Sequence, residues 1–258
     1  MIVKLLFIGD IIGEPGRKKI AQFLPELIKK EGIFFTIVQG ENLAGGIGIT
    51  EKTAKEVFNC GVDCITTGNH IWKYKEVYKY LDSEPRLLRP ANYPDGVPGK
   101  GYNIFEKMGI KIGVLNLEGR VFMKPIEDPF KTGKKIIEEI QKQTKNIFID
   151  FHAEATSEKR ALSFYLCDYA TGIIGTHTHI QTADEQIINQ KCAYITDAGM
   201  VGSIDSIIGI RKEEIIAHFL LQLPQKFSVA KENIVGNGVI IEFDENQGIA
   251  KGIKRIIF

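Results

Sequence analysis

The chain reads as an α/β protein, and three observations lead there. Five short apolar runs, at residues 3–9, 33–38, 62–66, 146–151 and from 172 onward, have the length and uniform hydrophobicity of strands buried on both faces. Between them lie segments whose apolar residues recur every three or four positions, the period of a helix. With 258 residues, 44% of them hydrophobic, the chain can bury a large core, and no repeat or Ser- or Pro-rich linker divides residues 1–258.

The elements follow in order. The run at 3–9 is closed by Asp10. Ile20, Phe23, Leu24, Leu27 and Ile28 then predict a helix over 17–30, stopped by Gly32, with Pro25 marking a kink. The run at 33–38 ends in Gln39-Gly40-Glu41-Asn42, and the glycines of 44–48 make a flexible loop. Thr50 is placed to cap a helix reaching about Cys60. The run at 62–66 ends in Thr67-Gly68-Asn69-His70, with a helix near 75–81. Residues 86–101, holding Pro90, Pro94 and Pro98, read as a loop with short strands. Residues 102–105 and 111–117 pair around Lys107-Met108-Gly109, and 118–130, polar and proline-bearing, form a rim or lid. Helices are predicted at 132–143 and 157–169, the second with Thr156 as its cap and Glu158 favourable to its dipole. The run between them ends in His152-Ala153-Glu154. Strands at 185–188 and 192–195 flank an Asn189-Gln190 turn. Residues 196–210 read as a loop, 212–223 as a helix, and 235–243 with 249–257 as a closing hairpin.

Charge narrows the partners. The 33 basic and 32 acidic residues leave a net charge of +1, so a phosphate-bearing partner must be held locally. Long polynucleotides need a basic track, and no stable nucleic-acid complex is expected. No stretch approaches the length of a membrane span. The N-terminal apolar run is interrupted by Lys4, closed by Asp10 and followed by no small-residue cleavage site, unlike a signal peptide. Cys60, Cys64, Cys167 and Cys192 form no Cys-x-x-Cys pair, so buried thiols in the reducing cytoplasm are expected.

The chemistry-bearing residues sit where the runs end: Asp10, Glu41-Asn42, Asn69-His70, His152 and His177-Thr178-His179. Four of the five histidines fall in this set, and only His218 lies outside. In sheets with strands of this kind, ligands bind beyond the carboxyl ends. Asp10 and Glu41 supply anionic oxygens, Asn42 and Asn69 amide oxygens, and His152, His177 and His179 nitrogens. Seven donors exceed the needs of one four-coordinate zinc and suit two ions about 3.5–4 Å apart sharing a carboxylate. Spacing leaves both Asp10 and Glu41 open as the bridge. Nitrogen and oxygen ligation without thiolate favours iron, manganese or zinc over copper, and the histidines argue against calcium. Singly, each residue has an ordinary reading as a cap, a turn former or a packed histidine. Jointly, five such run ends point to metal.

Gly9-Asp10, Gly40-Glu41-Asn42, Gly68-Asn69-His70, His152 and Thr176-His177-Thr178-His179 resemble, in order, the motifs of calcineurin-like metallophosphoesterases. The chain departs from the general pattern at Ile12, at Gly40-Glu41 and at Ile71. Those departures are similar to the YmdB-type bacterial subfamily. So are Gly40-Glu-Asn-Leu-Ala-Gly-Gly46, Asp150-Phe-His-Ala-Glu-Ala-Thr-Ser-Glu158 and Thr196-Asp-Ala-Gly-Met200. The resemblance covers nearly the whole chain. It implies a four-layer sandwich, two mixed sheets packed face to face and flanked by helices, and self-association into homo-oligomers. It implies cyclic-nucleotide phosphodiesterase activity, with 2′,3′-cyclic AMP a substrate, on two divalent transition-metal ions, iron ahead of manganese or zinc. Carried over, it makes Glu41 the bridge between one ion held by Asp10, Asn42 and His179 and another held by Asn69, His152 and His177. Asn42 stands in for the ligand missing at Ile12.

The reaction expected is attack by a metal-bridging hydroxide in line with the leaving ribose oxygen, which His70 protonates. With Ile71 in the place of an acid, the partner that tunes His70 must come from elsewhere. The same residues admit two alternatives: a phosphomonoesterase or nuclease, and a nucleotide-binding regulator with little turnover.

Overall fold

The computed structural model describes residues 1–258. The first half contains β1 (Ile2–Ile8), β2 (Asp10–Ile11), α1 (Gly13–Glu31), β3 (Phe35–Gln39), α2 (Glu51–Phe58), β4 (Cys64–Thr66), a 3₁₀ turn (Asn69–Lys73) and α3 (Val77–Ser83). Next come β5 (Tyr102–Lys107), β6 (Ile110–Glu118), α4 (Pro129–Gln141), β7 (Ile147–His152), α5 (Thr156–Leu166) and β8 (Gly172–Thr176). The chain closes with β9 (Gln186–Ile188), β10 (Cys192–Ile195), β11 (Met200–Ser203), α6 (Lys212–Leu221), β12 (Ile234–Asp244) and β13 (Ile249–Ile257).

Strand β1 shows how these elements become layers. Successive side chains on a strand point to opposite faces. Leu5 and Phe7 enter one core with Phe35, Ile37, Val114, Phe148 and Ile174, whereas Leu6 and Ile8 enter another with Ile20, Leu24, Val57 and Leu81 from the helices. A third core joins Ile147, Ile149 and Phe151 of β7 to Ile137 and Ile140 of α4 and Leu162 and Leu166 of α5. Three cores separate four layers: helices, sheet, sheet, helices. One sheet has the order β2-β11-β12-β1-β3-β4, with β13 also paired to β12; the other has β5-β6-β7-β8-β10-β9. Both are mixed. Parallel β1, β3 and β4 meet antiparallel β12, and parallel β6, β7, β8 and β10 carry antiparallel edges β5 and β9. The predicted sandwich is the observed one.

Four local expectations are corrected. Helix α1 begins at Gly13, four residues before the apolar spacing becomes visible, and continues through Pro25. Pro25 and Ala21 are exposed, so the carbonyl that proline leaves without a donor is on the face open to water. Asp10 does not simply end a strand: it opens β2, which pairs with β11 inside the expected 196–210 loop. Two- and four-residue strands are too short for hydrophobic periodicity to reveal. Finally, Thr156 is the first residue of α5 and not its cap; Ala155 precedes it and makes no side-chain capping bond. Thr50, by contrast, caps α2 in a reciprocal box with Thr53. All four cysteines are free, and no helix is long and apolar enough to cross a membrane.

Candidate metal centre

The two sheets bring their strand ends to a common edge. Asp10 opens β2, Glu41 and Asn42 follow β3, Asn69 and His70 open the turn after β4, His152 ends β7, and His177 and His179 follow β8. Glu41 Oε1 lies 3.1 Å from His152 Nε2 and 3.0 Å from His70 Nδ1. His152 Nε2 is in turn 3.0 Å from His177 Nδ1. Candidate ligand atoms of Glu41, His152 and His177 all lie within 4.8 Å of one another. A second group adjoins the first. Asp10 Oδ1 is 3.5 Å from His179 Nε2, and Asn42 Nδ2 is 3.3 Å from that nitrogen. Asn42 Nδ2 also lies 3.4 Å from both Asp10 Oδ1 and Glu41 Oε1, so Glu41 sits at the seam between the groups.

Two features show that this donor set fits divalent cations. Asn69 Oδ1 is buried with no hydrogen-bond partner, an orphan acceptor on a residue that lines one cavity with His177. Asn42 points its amide toward two carboxylates and an imidazole nitrogen, and a half-turn of that amide presents Oδ1 to the same place. Oxygen and neutral imidazole donors without thiolate belong to transition-metal chemistry.

Charge distribution agrees. Burial works against the carboxylate of Glu41, yet His152 and His70 more than offset it and hold its pKa well below the usual range. Asp10 is lowered in the same way, burial being outweighed by His179. Burial also opposes charge on His152, but Glu41 and Asp10 lift it to about 9. Burial and the neighbouring His152 push His177 down to about 3.

Each imidazole is also gripped from outside, which fixes the nitrogen it turns inward. His177 Nε2 lies 3.1 Å from Glu154 Oε2, and His179 Nδ1 lies 2.8 Å from the Ile208 carbonyl oxygen. His152 Nδ1 is 2.9 Å from Gln39 Nε2 and 3.0 Å from Thr176 Oγ1, and that hydroxyl donates to Asp150 Oδ1 at 2.7 Å. Asp150 is pushed up to about 7, chiefly by burial.

The His177-Thr178-His179 backbone is unusual: φ is +100° at His177 and +65° at His179, the left-handed region that non-glycine residues seldom occupy. Thr178, between them, donates from its N–H and Oγ1 to Asp197 Oδ2 at 3.0 and 2.8 Å. Lys159 Nζ donates to the same oxygen at 2.8 Å, with side chains 1% and 0% exposed, and Gly199 N–H donates to Oδ1 at 2.8 Å. The His177 N–H donates to Asp10 Oδ2 at 3.2 Å, tying the segment to the first strand end. Gly68 is required by close approach. A Cβ there would stand 2.1 Å from His152 Cδ2 and 2.6 Å from Glu41 Oε2.

All eight residues singled out from the sequence therefore meet. Lys159, Asp197, Glu154 and Thr176 escaped that reading as supporting residues. Glu154, Thr176 and Asp197 lie in phrases already noted and Lys159 directly follows one, but nothing in a lysine on a helix or an aspartate after a strand signals burial against a histidine loop. The acid partner of His70 is Glu41. Residues 118–130 rim the site: Phe122, Met123 and Lys124 share a cavity with Asn69 and His177.

Comparison with known proteins gives the family. A family model described as YmdB-like protein matches residues 6–256. A 2′,3′-cyclic-nucleotide 2′-phosphodiesterase of Bacillus subtilis (strain 168) is 46% identical over 255 residues, covering 99% of this chain and 97% of its own length. The crystal structure of a novel phosphatase from Mycoplasma pneumoniae superposes with a TM-score of 0.94 at 34% identity, over 100% of this chain and 94% of that one. A hypothetical protein from Thermus thermophilus superposes with a TM-score of 0.93 at 37% identity, over 99% of both. With the family model spanning almost every element of both sheets, the chain belongs to the YmdB-like family of calcineurin-like metallophosphoesterases.

Proposed function

We propose that this protein is a metal-dependent phosphodiesterase that hydrolyses small phosphodiesters, 2′,3′-cyclic nucleotides such as 2′,3′-cyclic AMP among them. The observation that carries this is a pair of donor groups, Glu41 with His152 and His177 and Asp10 with Asn42 and His179, that meet at Glu41, with Asn69 lining the cavity beside His177. The activity in the name of the 46% identical relative supports it. In this reading Asp10, Asn42 and His179 would hold one divalent ion and Asn69, His152 and His177 the other, with Glu41 available to both. The donor chemistry suits iron, manganese or zinc, with iron the first choice. Such a pair supplies an activated water near neutral pH and neutralises phosphate charge.

The chain's own residues do the rest. His70 Nδ1 is fixed by Glu41 Oε1 at 3.0 Å, leaving Nε2 to meet a substrate oxygen. The ring is 33% exposed, on the open side of a site whose other carboxylates and imidazoles are largely buried. It is the group able to protonate the departing ribose oxygen. The four free cysteines suit a cytoplasmic setting.

Metal analysis of purified protein combined with turnover of 2′,3′-cyclic AMP tests the proposal. Two transition-metal ions per chain with Mn²⁺-stimulated hydrolysis are expected. Metal-free protein inert toward cyclic nucleotides after Mn²⁺ addition overturns it, and faster turnover of phosphomonoesters redirects it to a phosphatase. His70→Ala is expected to keep its metal and lose about 10²–10⁴ in kcat on cyclic nucleotides, and much less on nitrophenyl esters, whose leaving group needs no proton. Equal losses on both remove His70 from that role.

A further inference from the structure

We propose that Phe122, supported by Met123 and Lys124, is the platform on which the base of a nucleotide substrate stacks. This rests on the phosphodiesterase reading and adds a subsite for the nucleobase. Phe122 is 89% exposed, although a phenylalanine ring is among the side chains water solvates least well. Its φ is +63°, at the third position of the turn closed by the Met123 N–H to Arg120 carbonyl bond of 3.2 Å. Turns fill such a position with glycine or asparagine, and a bulky residue there is an outlier.

The turn is built firmly. Gly119 N–H donates to the His152 carbonyl at 2.9 Å, so the segment starts from a metal-site residue. The Arg120 and Val121 N–H groups donate to the buried carboxylate of Glu158 at 3.0 and 3.2 Å. Asn92 Nδ2 bonds the carbonyls of Glu118 and Glu127 at 2.8 and 2.9 Å, pinning both ends. A fixed turn therefore presents an aromatic ring to solvent on a strained backbone.

What the ring faces decides the ligand. A cavity of about 290 Å³ is lined by Phe122, Met123 and Lys124 together with Asn69 and His177. That volume sits at the small end of the range for small-molecule sites and suits a mononucleotide rather than a polymer. With the cyclic phosphate at the candidate ligands Asn69 and His177, the base of the same nucleotide extends toward Phe122. An aromatic ring offers every base a stacking face, Met123 adds a polarizable contact, and Lys124 is the one permanent cation of the lining.

The test compares a substrate that carries a base with one that does not. In Phe122→Ala, KM for 2′,3′-cyclic AMP is expected to rise roughly 5- to 100-fold, the factor that stacking one base on an aromatic ring supports. Its kcat, its metal content and its kinetics on glycerol 1,2-cyclic phosphate are expected to stay at wild-type values, and Phe122→Trp to restore KM. Binding of adenosine monophosphate to Mn²⁺-loaded protein, measured by calorimetry, is expected to weaken by the same factor whether or not turnover occurs. An unchanged KM and unchanged nucleotide affinity in Phe122→Ala overturn the platform, as does an equal loss on both cyclic phosphates. Wild-type protein that binds the nucleotide through Phe122 yet hydrolyses neither substrate overturns the phosphodiesterase reading and leaves the platform standing.

Discussion

Replacing Lys159 with methionine isolates the buried contact beneath the histidine loop. Methionine keeps most of the aliphatic stem and removes the ammonium, which donates to Asp197 Oδ2 at 2.8 Å between side chains 1% and 0% exposed. Removing one partner of such a pair costs about 3–5 kcal/mol, because the other charge stays buried without compensation. Asp197 would still accept from Thr178 N–H, Thr178 Oγ1 and Gly199 N–H, which favours the lower end. For a chain of this size each kcal/mol moves Tm by about 2–4 °C, so 3 kcal/mol corresponds to a fall of roughly 6–12 °C. Circular dichroism melts of metal-free protein at neutral pH read this directly. Lys159→Met combined with Asp197→Asn should recover part of the loss, since no buried charge is then unpaired. Asp197→Asn alone should weaken metal binding, because Thr178 then bonds a neutral amide and the His177 and His179 backbones lose their clamp. A Lys159→Met protein melting within about 4 °C of wild type would refute this reasoning, since a solvent-exposed ion pair contributes no more than that.

Other consequences can be read with simple measurements. A cation at His152 Nε2 displaces a proton held with a pKa of about 9. Apparent metal affinity should therefore climb about tenfold per pH unit from pH 6 to 8, in chelator competition, and a flat profile contradicts the assignment. Gly68→Ala places a methyl 2.1 Å from the His152 ring, so metal content should drop sharply while the far-UV spectrum of the fold is kept. Glu118 is buried with both carboxylate oxygens unpartnered, and burial lifts its pKa to about 7. A carboxyl raised this way contributes stability below its unfolded pKa that is lost as pH rises through about 7. Glu118→Gln should accordingly stabilise metal-free protein at pH 8 by about 3 kcal/mol relative to pH 5, and equal melting shifts at both pH values would count against it.

What could be read in advance follows from the length scale of each signal. The runs of β1, β3, β7 and β8 are uniformly apolar because both faces are covered, by the other sheet on one side and by helices on the other. Their ends break abruptly to polar residues because that is where cover stops, so Asp10, Glu41, Asn69, His152 and His177 stood out. Strands β2 and β11 did not, since their pairing is set by the neighbouring chain and not by their own few residues. Thr156 looked like a cap because threonine often is one, whereas Glu158, two residues on, turns to bond the 119–122 turn and serves the site rim. Long-range roles of this kind leave no local pattern. The Lys159–Asp197 pair joins residues 38 positions apart, and only the packing of α5 against the segment after β10 reveals it.

The supporting contacts also explain why the centre is assembled from strand ends. Imidazoles can share one pocket with two carboxylates only if each ring is turned correctly, and a loop alone would leave several rotamers accessible. Here the ring of His152 is set by a strand residue, Thr176, and that of His179 by a backbone carbonyl. The left-handed conformations at His177 and His179 cost of order 1–3 kcal/mol each, and the bonds from Thr178 to Asp197 hold them in place. Without that strain, the alternation of an extended segment would set both rings side by side on one strand face. With it, His177 turns toward His152 and Glu41 while His179 turns toward Asp10 and Asn42. The residue between the two histidines therefore divides one motif between two groups of donors, and the Asp197 carboxylate that holds it is itself held by the buried Lys159.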